Sequence, residues 1–146
     1  ARLEDAFPGK FAGIKDSSAD PAQAQTFGER FGADLTILNG TDRLLTLALQ
    51  AGAVGCITAL ANLVSPDLRA VWDAHQAGRA APGEQAALDA ARAVSERYPP
   101  AAALLKALIA HFHGFPRWPV KPPLLPLSPE TEARALVAWQ TRGQIA

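Results

Sequence analysis

Three short apolar runs, each starting roughly twenty residues after the last, constrain this chain more than any other feature. Phe11-Ala12-Gly13-Ile14-Lys15, Asp34-Leu35-Thr36-Ile37-Leu38 and Val54-Gly55-Cys56-Ile57-Thr58 read as strands. Runs this short, bounded by turn residues, are too brief for helices and fit strands buried on both faces. A helical pattern lies between each pair. Asp20-Pro21-Ala22-Gln23 has the form of a helix start, with Asp20 as N-cap, Pro21 in the first turn and Gln23 reaching back. That helix should run to Phe31 and end at Gly32. The turn Asn39-Gly40-Thr41-Asp42 caps a second helix over 42–51, which Gly52 ends. Strands alternating with helices of this length predict βαβ units and a parallel sheet.

Each predicted strand ends in polar chemistry: Lys15, then Asn39 to Asp42, then Thr58. In a parallel sheet these ends share one face, the one on which barrels of βα units build their sites. Lys15 is expected to stand where a buried strand gives way to a loop. Partial desolvation there favours the free amine, the form that attacks a carbonyl. The plain alternative is a lysine that snorkels from a strand end into water.

Beyond residue 64 the pattern changes. Ser65-Pro66 reads as the cap and first position of a helix reaching His75 or Gln76, ended by Gly78. An Ala-rich helix is expected over 83–97 and a more apolar one over 101–113. In the latter, Leu104, Leu105, Leu108, Ile109 and Phe112 form one stripe, which is core or interface. His111 and His113, two apart, fall on different helix faces and do not make a metal pair. Five prolines between 115 and 127 predict an extended strap over the surface. Ser128-Pro129-Glu130 then caps a last helix to about 142, with Leu136, Val137 and Trp139 as apolar anchors. The chain thus divides into α/β units over 1–78 and a helical extension over 79–146.

Composition narrows the function. Fourteen basic residues balance fourteen acidic ones without a basic run, which disfavours nucleic acid and anionic membrane surfaces as partners. No apolar stretch reaches the ~18–20 residues of a membrane span. The single cysteine, Cys56, fits a reducing, cytoplasmic setting, and its apolar surroundings make it a poor nucleophile.

Gly13-Ile14-Lys15-Asp16-Ser17-Ser18 resembles the Schiff-base lysine segment of the dihydrodipicolinate synthase and N-acetylneuraminate lyase family. Leu38-Asn39-Gly40-Thr41-Asp42 resembles that family's next strand end, and the run from Gly52 to Asn62 its following strand and loop. Pro122-Pro123-Leu124-Leu125-Pro126-Leu127 resembles the strap before its final helix. The resemblance implies part of a (β/α)8 TIM barrel, strands six to eight, followed by a C-terminal helical extension. It implies a class I aldolase or lyase in which Lys15 forms an imine with pyruvate or a related 2-oxo acid and an aldehyde is the second partner. No metal or cofactor is implied, since the iminium is itself the electron sink. Gly40, Asp42 and Thr58 match positions lining the distal part of the substrate in the sialic-acid branch. Arg43 stands where that branch is acidic, which argues for an anionic or shorter aldehyde.

The family's proton-relay tyrosine and Thr-rich carboxylate loop have no counterpart here; Tyr98 ends a helix and is expected to pack. A full barrel needs ~250 residues, so the first half is expected as preceding sequence or a second chain, in a homo-oligomer, with this piece inactive alone. The alternative from another class is a non-catalytic barrel fragment with a binding or structural role, in which Lys15 is spare.

Overall fold

The computed structural model describes residues 2–144. Its order is α1 (Arg2–Ala6), β1 (Gly13–Asp16), α2 (Pro21–Phe31), β2 (Thr36–Asn39), a 3-10 turn (Asp42–Leu44), α3 (Leu45–Gln50), β3 (Gly55–Cys56) and α4 (Ala61–Gln76). Three further helices follow: α5 (Pro82–Arg97), α6 (Ala101–His113) and α7 (Pro129–Gln140). The strands form one parallel sheet in the order β1-β2-β3.

The strands are shorter than their apolar runs and begin later, β1 and β2 each ending one residue further on and β3 ending two residues earlier, because pairing decides where a strand begins, not apolarity. Residues 33–35 belong to the turn leaving α2, where the amides of Asp34 and Leu35 donate to the Phe31 carbonyl. Register sets Lys15 beside Leu38 and Leu38 beside Gly55, while Ile14 pairs with Ile37 and Asn39 with Cys56. Paired residues share a face and neighbours along a strand alternate. Ile37 packs with Ala48, Ala53, Phe27 and Phe31 under α2 and α3; Lys15 and Leu38 therefore lie on the opposite face.

The expectation of strands buried on both faces is not met. In β1 only Asp16 is buried, Ile14 is 38% exposed and Lys15 is exposed. Burial on both faces requires a layer on each, and among the described residues helices cover one.

The helical boundaries differ in two informative places. Asp20 caps α2 as expected, its Oδ1 accepting from the Ala22 amide at 2.9 Å, but the Asp20 amide donates to Ser18 Oγ rather than to Gln23. α4 begins at Ala61, before the expected start, but it joins two helical stretches and the second begins at Ser65-Pro66; the Ser65 hydroxyl donates back to the Ala61 carbonyl. Pro66 has no amide to give, so the first turn is set off by a kink at Val64 (φ −123°, ψ 24°).

One apolar core runs through both halves of the chain. Leu45, Leu49, Leu60, Val64 and Val71 pack with Leu88, Leu104, Leu108 and Trp139, so the core crosses residue 78 without a break. In α6, Leu104, Leu105 and Leu108 are buried, Ile109 half-buried and Phe112 more exposed. Tyr98 packs in the core. In α7 the anchors are Ala135 and Trp139; Val137, expected among them, is 59% exposed because it lies on the opposite side of the helix. The segment between α6 and α7 holds no helix or strand and is tied down by an Arg117–Glu132 ion pair at 2.7 Å.

Gly28 lies where α2 crosses the end of α3. A methyl group there would fall on the Ala51 carbonyl oxygen, while the adjoining Gly52 adopts φ +102°, which favours glycine. Helix propensity alone makes Gly28→Ala stabilising by about 0.5–1 kcal/mol, but overpacking against backbone costs about 1–3 kcal/mol. The clash is expected to win. Gly28→Ala should lower the urea midpoint at unchanged m-value, and a raised midpoint would show that the helices separate freely.

Candidate active site

Immediately after β1 the chain turns on the Asp16 carboxylate, which is buried and accepts from the Ser18 amide at 2.9 Å. The Asp16 carbonyl accepts from the Gly40 amide at 2.6 Å, tying the end of β1 to the end of β2. Gly40 is a steric necessity at this contact. A Cβ there would lie 2.5 Å from the Asp16 carbonyl oxygen and 2.9 Å from Ser17 Cα. Its bare backbone thus serves the approach of two loops rather than an opening. Asn39, also buried, closes the turn: its Nδ2 donates to the Thr41 carbonyl at 2.6 Å and its Oδ1 accepts from the Thr41 amide at 3.1 Å.

Asp42 has 0% exposure. Arg92 on α5 grips it with two prongs, Nε to Oδ1 at 2.8 Å and Nη2 to Oδ2 at 2.6 Å. Thr58, beyond β3, donates its hydroxyl to Asp42 Oδ2 at 2.8 Å, while its Oγ1 accepts from Arg92 Nη2 at 3.1 Å and from the Leu60 amide at 3.3 Å. Gln85, two turns earlier on α5, donates to the carbonyls of Asp42 and Arg43 and accepts from the Thr46 amide and hydroxyl. The hydrogen bond to Asp42 raises the Arg92 guanidinium further above its ordinary value, with burial opposing.

Asp42 and Thr58, expected to line the distal part of the substrate, are both joined in one network with Arg92. Breaking a buried pair by removing one partner typically costs about 3–5 kcal/mol. Arg43 instead makes a solvent-exposed pair with Glu96 at 2.9 Å, a type of contact worth about 0–1 kcal/mol. Asp42 holds this loop; the Arg43 side chain adds little to that hold.

Gly40, Asp42 and Thr58 are thus brought together and joined to the end of β1, while Arg43 turns toward α5. Lys15 stands exposed on the sheet face away from α2 and α3, at the edge of this hydrogen-bonded platform. Arg92 and Gln85 were missed in the sequence. Their signal is the polar stripe Gln85, Asp89, Arg92, Glu96 at helical spacing on an otherwise Ala-rich helix. Among the described residues, no group of three or more His, Cys, Asp or Glu gathers to hold a metal ion, and no helix is long and apolar enough to cross a membrane.

Parallel βα units whose strand ends carry a lysine and a locked polar turn, continued by a helical segment sharing their core, define an α/β chain. Residues 3–140 match the dihydrodipicolinate synthetase family, and the chain belongs to it. An uncharacterized DapA-like lyase of Chloroflexus aurantiacus is 37% identical over 133 residues, covering 90% of this chain and 43% of that protein. A dihydrodipicolinate synthase structure from Agrobacterium tumefaciens superposes with a TM-score of 0.78 at 29% identity, covering 96% of this chain and 46% of its own. YagE of E. coli, a family member solved in complex with pyruvate, gives a TM-score of 0.83 at 25% identity, covering 97% and 49%. The chain spans about half the length of these relatives.

Cys56 sits beside the platform, half-buried. Burial pushes its thiol up to about 11, the Asp42 carboxylate adds to this, and the charges of Arg92 and Lys15 oppose it. The neutral thiol is the form the fold favours. Its contribution to stability is present below the ordinary value of 9.0 and is lost as pH rises through about 11. At pH 8 iodoacetamide should modify Cys56 at least about tenfold more slowly than a free cysteine, since only the thiolate reacts. Alkylation at the rate of free cysteine would show that the thiol is not held in this environment.

Proposed function

We propose that Lys15 is the imine-forming amine of a lyase or aldolase acting on a 2-oxo acid such as pyruvate. In this reading the chain supplies strands six to eight of a (β/α)8 barrel together with its helical extension. The observation that carries the proposal is the placement of Lys15: open to solvent at the C-terminal end of β1, on the face away from the helices, beside two strand ends locked by buried hydrogen bonds. The pyruvate complex of YagE supports the choice of substrate class.

The chemistry needs few groups. The Lys15 amine attacks the 2-oxo carbon, and the carbinolamine loses water to give an iminium. The iminium accepts the electron pair released when the neighbouring carbon loses a proton or breaks its C–C bond. The resulting enamine attacks an aldehyde in the condensing direction, or is protonated after cleavage. Arg43, held only by an exposed pair, is free to turn toward an anionic aldehyde partner. Asp42 and Thr58, held by Arg92, serve as the fixed floor of the distal part of the site. Gly40 keeps the floor close to β1.

Treatment of the protein, at its natural length, with pyruvate and sodium borohydride should reduce the iminium to a stable secondary amine on the peptide containing Lys15. Lys15→Arg keeps the positive charge but has no amine to release, because the guanidinium stays protonated. The variant should fold, take up no pyruvate-derived mass and lose turnover. Retention of even about a tenth of wild-type turnover would rule out the imine mechanism, which depends on this amine.

A further inference from the structure

We propose that Arg92, on a helix outside the sheet, is a positioning residue for Lys15. It does so by fixing the height of the 39–42 turn against the end of β1. The inference rests on the reading of Lys15 as imine former.

The connection is continuous, and each joint lacks slack. Arg92 takes both oxygens of Asp42, at 2.8 and 2.6 Å. Asp42 ends a turn that the Asn39 side chain closes from within, through two hydrogen bonds to Thr41. Within that turn the Gly40 amide donates to the Asp16 carbonyl at 2.6 Å, and Gly40 sits too close to Ser17 and Asp16 to accept a side chain. Asp16 is the residue after Lys15, and its own carboxylate is buried in the following turn. A displacement of Asp42 therefore has no loose element in which to be absorbed before it reaches Lys15.

Removing Arg92 supplies the displacement. A carboxylate with 0% exposure cannot remain in place without its cation. Thr58 offers one hydroxyl hydrogen bond, which does not replace a charge. Asp42 must move toward water, and the turn moves with it. Misplacement of a reacting group by about 1 Å can cost about a hundredfold in rate.

The test, on the protein at its natural length, measures borohydride-trapped pyruvate adduct per folded molecule, as a function of pyruvate concentration, in wild type, Arg92→Met, Arg92→Lys and the double variant Asp42→Asn/Arg92→Met. Each is assayed well below its own melting temperature, so a purely structural role lowers Tm and leaves the rate per folded molecule unchanged. Arg92→Met should reduce the trapping rate at saturating pyruvate by about tenfold to a hundredfold, with a smaller effect on half-saturation. Arg92→Lys, which keeps the charge but not the fork, should recover part of the loss. The double variant should also recover part of it, because a neutral amide can stay buried beside Thr58. Folded Arg92→Met trapping at the wild-type rate would overturn the inference while leaving the role of Lys15 intact. Absence of any adduct in wild type would overturn both. If Arg92→Met does not fold, Arg92→Lys decides: a reduced rate per folded molecule upholds the inference and an unchanged rate overturns it.

Discussion

Taking the Asp42 carboxylate wholly out of water costs several kcal/mol, and the loop carrying it holds its form because Arg92 and Thr58 return that cost through short, charge-assisted hydrogen bonds. The rest of the arrangement follows. With Asp42 held, the turn before it closes on Asn39, Gly40 reaches β1, and the ends of all three strands stand at a common level. Without it, the polar ties of the 3-10 turn and α3 to α5 would be Gln85 and an exposed Arg43–Glu96 pair, beside the apolar core shared by Leu45, Leu49 and Leu88. The helical half of the chain is thus part of how the strand ends are built.

What was legible in the sequence was what depends on near neighbours. The helix over 101–113 is found at those bounds, because its apolar stripe and the flanking Pro100 and Gly114 are local signals. Asp20 and Ser128 act as caps for the same reason. The strands were recognisable, but their ends depend on partners in other strands, so each begins later than its apolar run. The exposure of Lys15 in this chain was not readable from its own strand, since it depends on what lies over that face of the sheet. The state of Asp42 was hidden most deeply: its partner is 50 residues further on. Only the polar stripe along α5 hinted that such a partner was present.

That stripe also answers a packing problem. The buried face of α5 is Leu88, Ala91, Val94 and Ser95, and the polar stripe runs beside it. Apolar contacts carry no directional requirement; hydrogen bonds with defined geometry do. Gln85, bridging Thr46 and the carbonyls of Asp42 and Arg43, and Arg92, two turns later, pin the helix at two points. The Arg92–Asp42 ion pair thus gives α5 a directional contact beside its apolar ones.

The proline strap carries a different consequence. Phe115, Trp118, Leu124 and Leu125 are all substantially exposed, the last at 75%. In an ordinary extended segment such a row of apolar side chains would invite intermolecular β-pairing. Here Pro116, Pro119, Pro122, Pro123 and Pro126 remove backbone donors so regularly that no more than two consecutive residues between them can offer an N–H. The strap can thus show greasy side chains to solvent while denying them the backbone ladder that fibrils need. Its stickiness is limited to side chains, and its backbone is a gatekeeper written into the chain itself.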